Sequence, residues 1–144
     1  MDPHPLGLIL FHKQSTSARV RFLRSAGGSI CFGSQIPKLA TLVDENNGFE
    51  KEQTLARHPA MAVRELEKQM GLETDAIQLD KNFRARVDMP GHIMPVYLAQ
   101  FKNIDPPFEA AEKVDAKFIA ITEARRQPPI ELQLLQKAYE YIMG

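Results

Sequence analysis

Ala62-Val63-Arg64-Glu65-Leu66-Glu67-Lys68-Gln69-Met70-Gly71-Leu72 carries the period of an amphipathic helix, with Val63, Leu66 and Met70 as its apolar stripe. Pro59, just upstream, suits a first helical turn, where its missing N–H costs nothing. Gly71 suits the cap, because the residue after a helix often turns left-handed. The segment therefore predicts a helix from Pro59 to about Met70. Arg64, Glu65, Lys68 and Gln69 fall on the adjoining face, since residues three and four apart are neighbours.

Strand patterns flank this helix on both sides. Leu6 to His12 is a short apolar run, expected as a buried strand. After turn residues at 14–17, the segment Ala18 to Arg24 alternates Val20 and Phe22 with Arg19 and Arg21. The two segments predict an antiparallel hairpin with one half-solvated face. Ser29 to Gly33 is a further short strand; Ile36 to Val43 is ambiguous, and Pro37 argues against a central strand there. Asp44 to Gly48 is a polar loop. Downstream, 75–80, 82–87 and 92–101 are expected strands, with Pro90-Gly91 as a turn. Lys117 to Thr122 is a last strand, and Ile130 to Met143 a second amphipathic helix on Leu132, Leu135, Tyr139 and Ile142. Strands, helix, strands and helix in that order predict a mixed sheet covered by helices. No repeat or linker interrupts the pattern, so one domain over 1–144 is expected.

Eighteen basic residues oppose 18 acidic ones, so no overall field draws the chain to nucleic acid or to an anionic membrane. Arg19, Arg21 and Arg24 are accounted for as the outer face of a strand. The single Cys31 excludes an internal disulfide and suits a reducing compartment. Between Ile30 and Phe32 it is expected to be a buried thiol rather than a nucleophile. No signal peptide or membrane-length apolar run is visible, so a cytoplasmic location is expected.

Residues 62–72 also resemble the second half of a Nudix box, R-E-U-x-E-E-x-G-U, where U is a bulky aliphatic residue. Arg64, Glu65, Leu66, Gly71 and Leu72 match it in register, while Lys68 and Gln69 stand where that family has paired glutamates. The element order resembles a Nudix domain over roughly residues 6 to 143, including the Arg125 to Pro129 approach to the last helix. The resemblance implies a Nudix-like α/β fold, a mixed β-sheet flanked by helices in an α/β/α sandwich. It also implies Mg²⁺ or Mn²⁺ as cofactor and hydrolysis of a phosphoanhydride bond in a nucleotide-like small molecule. Dimers are common in the family, and the hairpin offers a surface for a homodimer.

In such chemistry, carboxylates on one helix face hold the metal that neutralises phosphate oxygens and activates water. Glu65 alone survives of the three glutamates the family presents. Lys68 brings a cation that opposes Mg²⁺, and Gln69 offers one neutral oxygen. Glu67 is turned about 100° away from that face. Further upstream, Glu50 and Ala56 occupy the glycine and glutamate positions of the box's first half. Gly48 could supply the loop glycine, and Glu50 or Glu52 could reach inward. Glu109 and Glu112 fall where some members carry a catalytic carboxylate on a late loop, although Glu-Ala-Ala-Glu-Lys also fits a solvated helical turn. His12, His58 and His92 lack metal-ligand spacing. Two readings result. In the first, an eroded metal site leaves a weakly active or inactive scaffold that binds a nucleotide-like ligand or a partner. In the second, a divergent Nudix pyrophosphohydrolase cleaves a nucleoside diphosphate linked to another moiety. The candidate catalytic residues are Glu65, Arg64, Glu109 and Glu112, and the candidate metal ligands Glu65, Gln69, Glu50 and Glu52.

Overall fold

Successive residues of the central strands point to opposite faces of one sheet and build an apolar layer on each. A computed structural model describes residues 5–43 and 59–144. Its strands are β1 (Gly7–Lys13), β2 (Val20–Arg24), β3 (Cys31–Gly33), β4 (Thr41–Leu42), β5 (Ile77–Leu79), β6 (Ala85–Met89), β7 (His92–Phe101) and β8 (Lys117–Ile119). Its helices are α1 (Pro59–Gln69), α2 (Phe108–Lys113) and α3 (Pro129–Met143). Among the described residues the sheet runs β4-β6-β7-β1-β2-β8. At the centre β1 pairs in parallel with β7, residues 7–11 against 96–100. The outer edge of β1 is divided: β3 takes Gly7 to Ile9 and β2 takes Phe11 to Lys13. The outer edge of β7 is divided likewise between β6 and β5.

Ile9, Phe11, Phe22, Val96 and Leu98 face one layer, closed by Ile130, Leu134, Leu135 and Ala138 of α3. Leu8, Leu10, Leu23, Ala99 and Phe101 face the other, closed by Val63, Leu66 and Met70 with Ala110 and Ala111 of α2. This is the period-two alternation of strands buried on both sides. It corrects the expectation of a half-solvated hairpin. Leu23 is fully buried, and the Arg21 guanidinium lies 5.9 Å from the centre of the Phe108 ring. Of that arginine series Arg19 is exposed, and Arg21 and Arg24 are partly buried.

Helix α1 begins at Pro59 and ends as its sequence predicts. Gly71 has φ +70°, the Leu72 N–H donates to the Glu67 carbonyl (2.8 Å), and the Gly71 N–H donates to the Lys68 carbonyl (3.1 Å). These are the two bonds of a Schellman cap, and glycine reaches that φ without strain. Leu72 then packs into the layer beneath α1.

Strand β6 starts three residues later than its pattern suggests, for a local reason. Oδ1 of Asp80 accepts the N–H groups of Asn82 and Phe83, both at 2.8 Å, and holds that stretch in a turn. The Tyr141 hydroxyl donates to the same carboxylate at 2.9 Å, tying the end of α3 to the start of the β5–β6 connection. Partial burial works against the Asp80 charge, but these donors outweigh it and lower the pKa below the usual carboxylate value. A folded pKa below the unfolded one gives stability that is present above the unfolded pKa, about 3.9, and lost as pH falls through the folded value. Asp80→Asn is therefore expected to be less stable than wild type near neutral pH, with the gap narrowing below pH ~4. Urea midpoints measured across that range check it; a constant gap would sink the assignment.

Strand β8 also stops early, at Ile119, and a 3₁₀ turn over Ile121–Glu123 follows. The Glu123 carboxylate accepts the Ala120 N–H at 2.8 Å, pulling the chain out of the sheet. Helix α3 is fixed at its other end by Glu131, which is 4% exposed. Its carboxylate accepts from the Ser29 hydroxyl (2.7 Å), the Ile30 N–H (3.1 Å) and the Gln127 amide (2.5 Å). Gln127 donates in turn to the Gly28 carbonyl (2.8 Å), so the β2–β3 turn and α3 are one hydrogen-bonded unit. Nearby, burial pushes the Cys31 thiol up to about 12, which keeps it protonated, as expected of an apolar site. Among the described residues no helix is long and apolar enough to cross a membrane.

Candidate functional site

The two flanks of α1 open onto different grooves. Ala62, Glu65, Leu66 and Gln69 line a cleft of about 310 Å³ whose other wall is Leu6, Leu8, Phe32 and Gly33. Ala60, Val63, Arg64 and Glu67 line a second groove of about 400 Å³, shared with Asp75, Ile77, Gln78, Leu79, Lys81 and Lys102. At about 100° per residue the two sets lie roughly half a turn apart around the helix. Arg64 and Glu65, adjacent in sequence, therefore serve different grooves.

In the first cleft, Glu65 and Gln69 are one turn apart and both exposed, so a carboxylate and a neutral amide look out over an apolar floor. The far wall depends on Gly33. Its φ is +100°, and a Cβ there would collide with the carbonyl oxygen of Leu6, so a side chain would push β3 away from the start of β1. Phe32, half-buried at the rim, supplies the one aromatic ring among the described residues of the lining. Phe32 and Gly33 are expected in a strand from the sequence, but nothing in their pattern marks them as facing α1. Two other aromatic residues of the chain are occupied away from the cleft. Phe101 is 1% exposed and packs edge-on against Phe118, and Phe108 covers Arg21.

The metal expectation turns on donor count. Glu65 and Gln69 are together, and Lys68, exposed one turn before Leu72, adds no oxygen. Neither Glu109 nor Glu112 lines the cleft; both are exposed on α2. Among the described residues no three His, Cys, Asp or Glu side chains could hold a metal ion together. Among the described residues the cleft therefore offers a divalent ion one carboxylate and one amide oxygen. Glu50, Glu52, Gly48, Ala56 and His58 lie outside the described residues. Of the remaining histidines, His12 is buried with Nε2 against the Asn103 carbonyl (2.8 Å), and His92 is exposed.

Glu67 has a different task. It is 3% exposed, and its carboxylate accepts the N–H of Ile77 at 2.9 Å, fastening α1 to β5. Its rotation away from the Glu65 flank is what the helical period predicts. The partner it finds was not visible from sequence.

No protein-family profile matches the chain, and no curated protein sequence matches it. Solved structures do. The crystal structure of C. elegans Ap4A hydrolase superposes with a TM-score of 0.56 at 13% identity, covering 99% of each chain. A mutT/nudix family protein from Listeria innocua has a TM-score of 0.47 at 24% identity, covering 99% of this chain and 96% of its own. At these identities the likeness is one of fold. The chain has a Nudix-like fold, a mixed sheet, eight-stranded among the described residues, flanked by helices.

Proposed function

We propose that this chain is a Nudix-fold protein with an eroded metal site, a single domain that binds a nucleotide-like ligand with weak or no phosphoanhydride hydrolysis. The observation that carries this reading is the composition of the Glu65 cleft: one carboxylate, one amide and no further acid among the described residues. Such a lining suits a neutral ligand fragment held by hydrogen bonds and apolar contact better than a metal-bridged diphosphate. The fold neighbour described as an Ap4A hydrolase supports a nucleotide as the ligand class, by fold analogy.

The test is phosphate release from nucleoside triphosphates, dinucleoside polyphosphates and nucleotide sugars with Mg²⁺ or Mn²⁺, for wild type and Glu65→Ala. The expected result is no turnover, or a trace rate that Glu65→Ala leaves within about threefold (about 0.65 kcal/mol of barrier). Metal-dependent turnover that falls by about 100-fold or more in Glu65→Ala, the loss typical of a catalytic electrostatic group, would instead establish the divergent hydrolase, its site completed by carboxylates such as Glu50 or Glu52.

A further inference from the structure

We infer that the groove on the Arg64 flank of α1 is a metal-independent binding site for a phosphoryl anion of diphosphate size. Three cations converge on it from separate parts of the fold: Arg64 from α1, Lys81 from the β5–β6 connection and Lys102 from just beyond β7. All three are exposed, and no hydrogen bond or ion pair to a described residue engages any of them. Two acids share the groove. Glu67 is buried with its carboxylate accepting the Ile77 N–H and Asp75 is exposed, so among the described residues three cations face two carboxylates.

Val63, Ile77 and Leu79 form the apolar floor of the groove beside the cations. Arg64 presents a planar fork suited to two oxygens of one phosphoryl group, and the lysines act as movable point charges. Gln78 adds a neutral amide donor, and about 400 Å³ leaves room for more than one phosphoryl group. The net charge of the chain is zero, so the attraction is local rather than a general basic character. Across the helix the electrostatics reverse: Glu65 repels an anion in its own cleft. A phosphorylated ligand thus meets repulsion on one flank of α1 and three cations on the other.

The experiment is calorimetric titration of the full chain with inorganic pyrophosphate in EDTA, at two salt concentrations, using Lys81→Ala/Lys102→Ala, Arg64→Ala and Glu65→Gln as variants. Wild type is expected to bind without metal and to weaken with salt. The double lysine variant should lose about tenfold in affinity, the order expected for two surface ion contacts. Glu65→Gln should bind as well as wild type or better. Circular dichroism verifies that the variants fold, which the exposure of all three cations favours. Absence of pyrophosphate binding to wild type at millimolar concentration would overturn the inference. Equal binding by the double lysine variant would do so too. A metal-dependent turnover lost with Glu65 would remove the eroded-site reading and leave this one untouched.

Discussion

Glu131→Ala is expected to lower the unfolding free energy by about 3 kcal/mol, because it strips the acceptor from several buried donors at once. The carboxylate receives the Ser29 hydroxyl, the Ile30 N–H and the Gln127 amide, and it is 4% exposed. An unsatisfied buried donor costs roughly 1–3 kcal/mol. Ser29 keeps a second acceptor in the Cys31 carbonyl (3.2 Å) and Gln127 keeps the Gly28 carbonyl, so the loss is less than three such penalties. Ile30 has no such reserve, since its residue is fully buried. Glu131→Gln retains one oxygen and should lose about half as much. Chemical denaturation should show a lower midpoint at unchanged slope, and the melting temperature should fall by about 10 °C. A loss below about 1 kcal/mol would mean that the carboxylate does not hold α3 to the β2–β3 turn.

Glu67→Ala is the second large effect, expected at about 2 kcal/mol. It orphans the Ile77 N–H inside a residue that is 4% exposed, and it removes the side-chain link between α1 and β5. Glu67→Gln keeps an acceptor and should recover at least half of the loss. The diagnostic readout is local: amide exchange of Ile77 should accelerate more than that of Leu98 at the sheet centre. Uniform acceleration across the sheet would point to general destabilisation rather than a lost α1–β5 tie.

What the sequence made legible was whatever local chemistry determines. The bounds of α1 follow from Pro59, the apolar stripe and Gly71, and the structure reproduces them with both Schellman bonds in place. Strand 92–101 was found end to end, because its alternation is long and the Pro90-Gly91 turn delimits it. Propensity failed where a side chain claims backbone donors from outside the pattern, as Asp80 does at Asn82 and Phe83, and Glu123 at Ala120. The hairpin's second face was misread because α2, which covers Leu23 and Arg21, is distant in sequence. At the candidate site, helical spacing correctly joined Glu65 with Gln69, but it grouped Arg64 with them, and the packing of β5 places Arg64 on the other flank. Lys81 and Lys102 were invisible as partners of Arg64, since only the pairing of β5 with β7 brings those segments together.

The central seam also has a consequence for how the chain is made. Residues 7–11 pair in parallel with 96–100, so the first of these strands waits for one synthesised far later. Until Phe101 has emerged from the ribosome, β1 has its β2 and β3 neighbours available but no partner on its other edge. Because vectorial synthesis delivers residues at about 5–20 per second, that edge of Leu8, Ile9 and Leu10 stays open for seconds. Closure is thus a late, long-range event of high contact order rather than a local zipping. During that interval the nascent chain presents an apolar strand edge, the kind of surface that chaperones shield and that pairs with other chains when they do not.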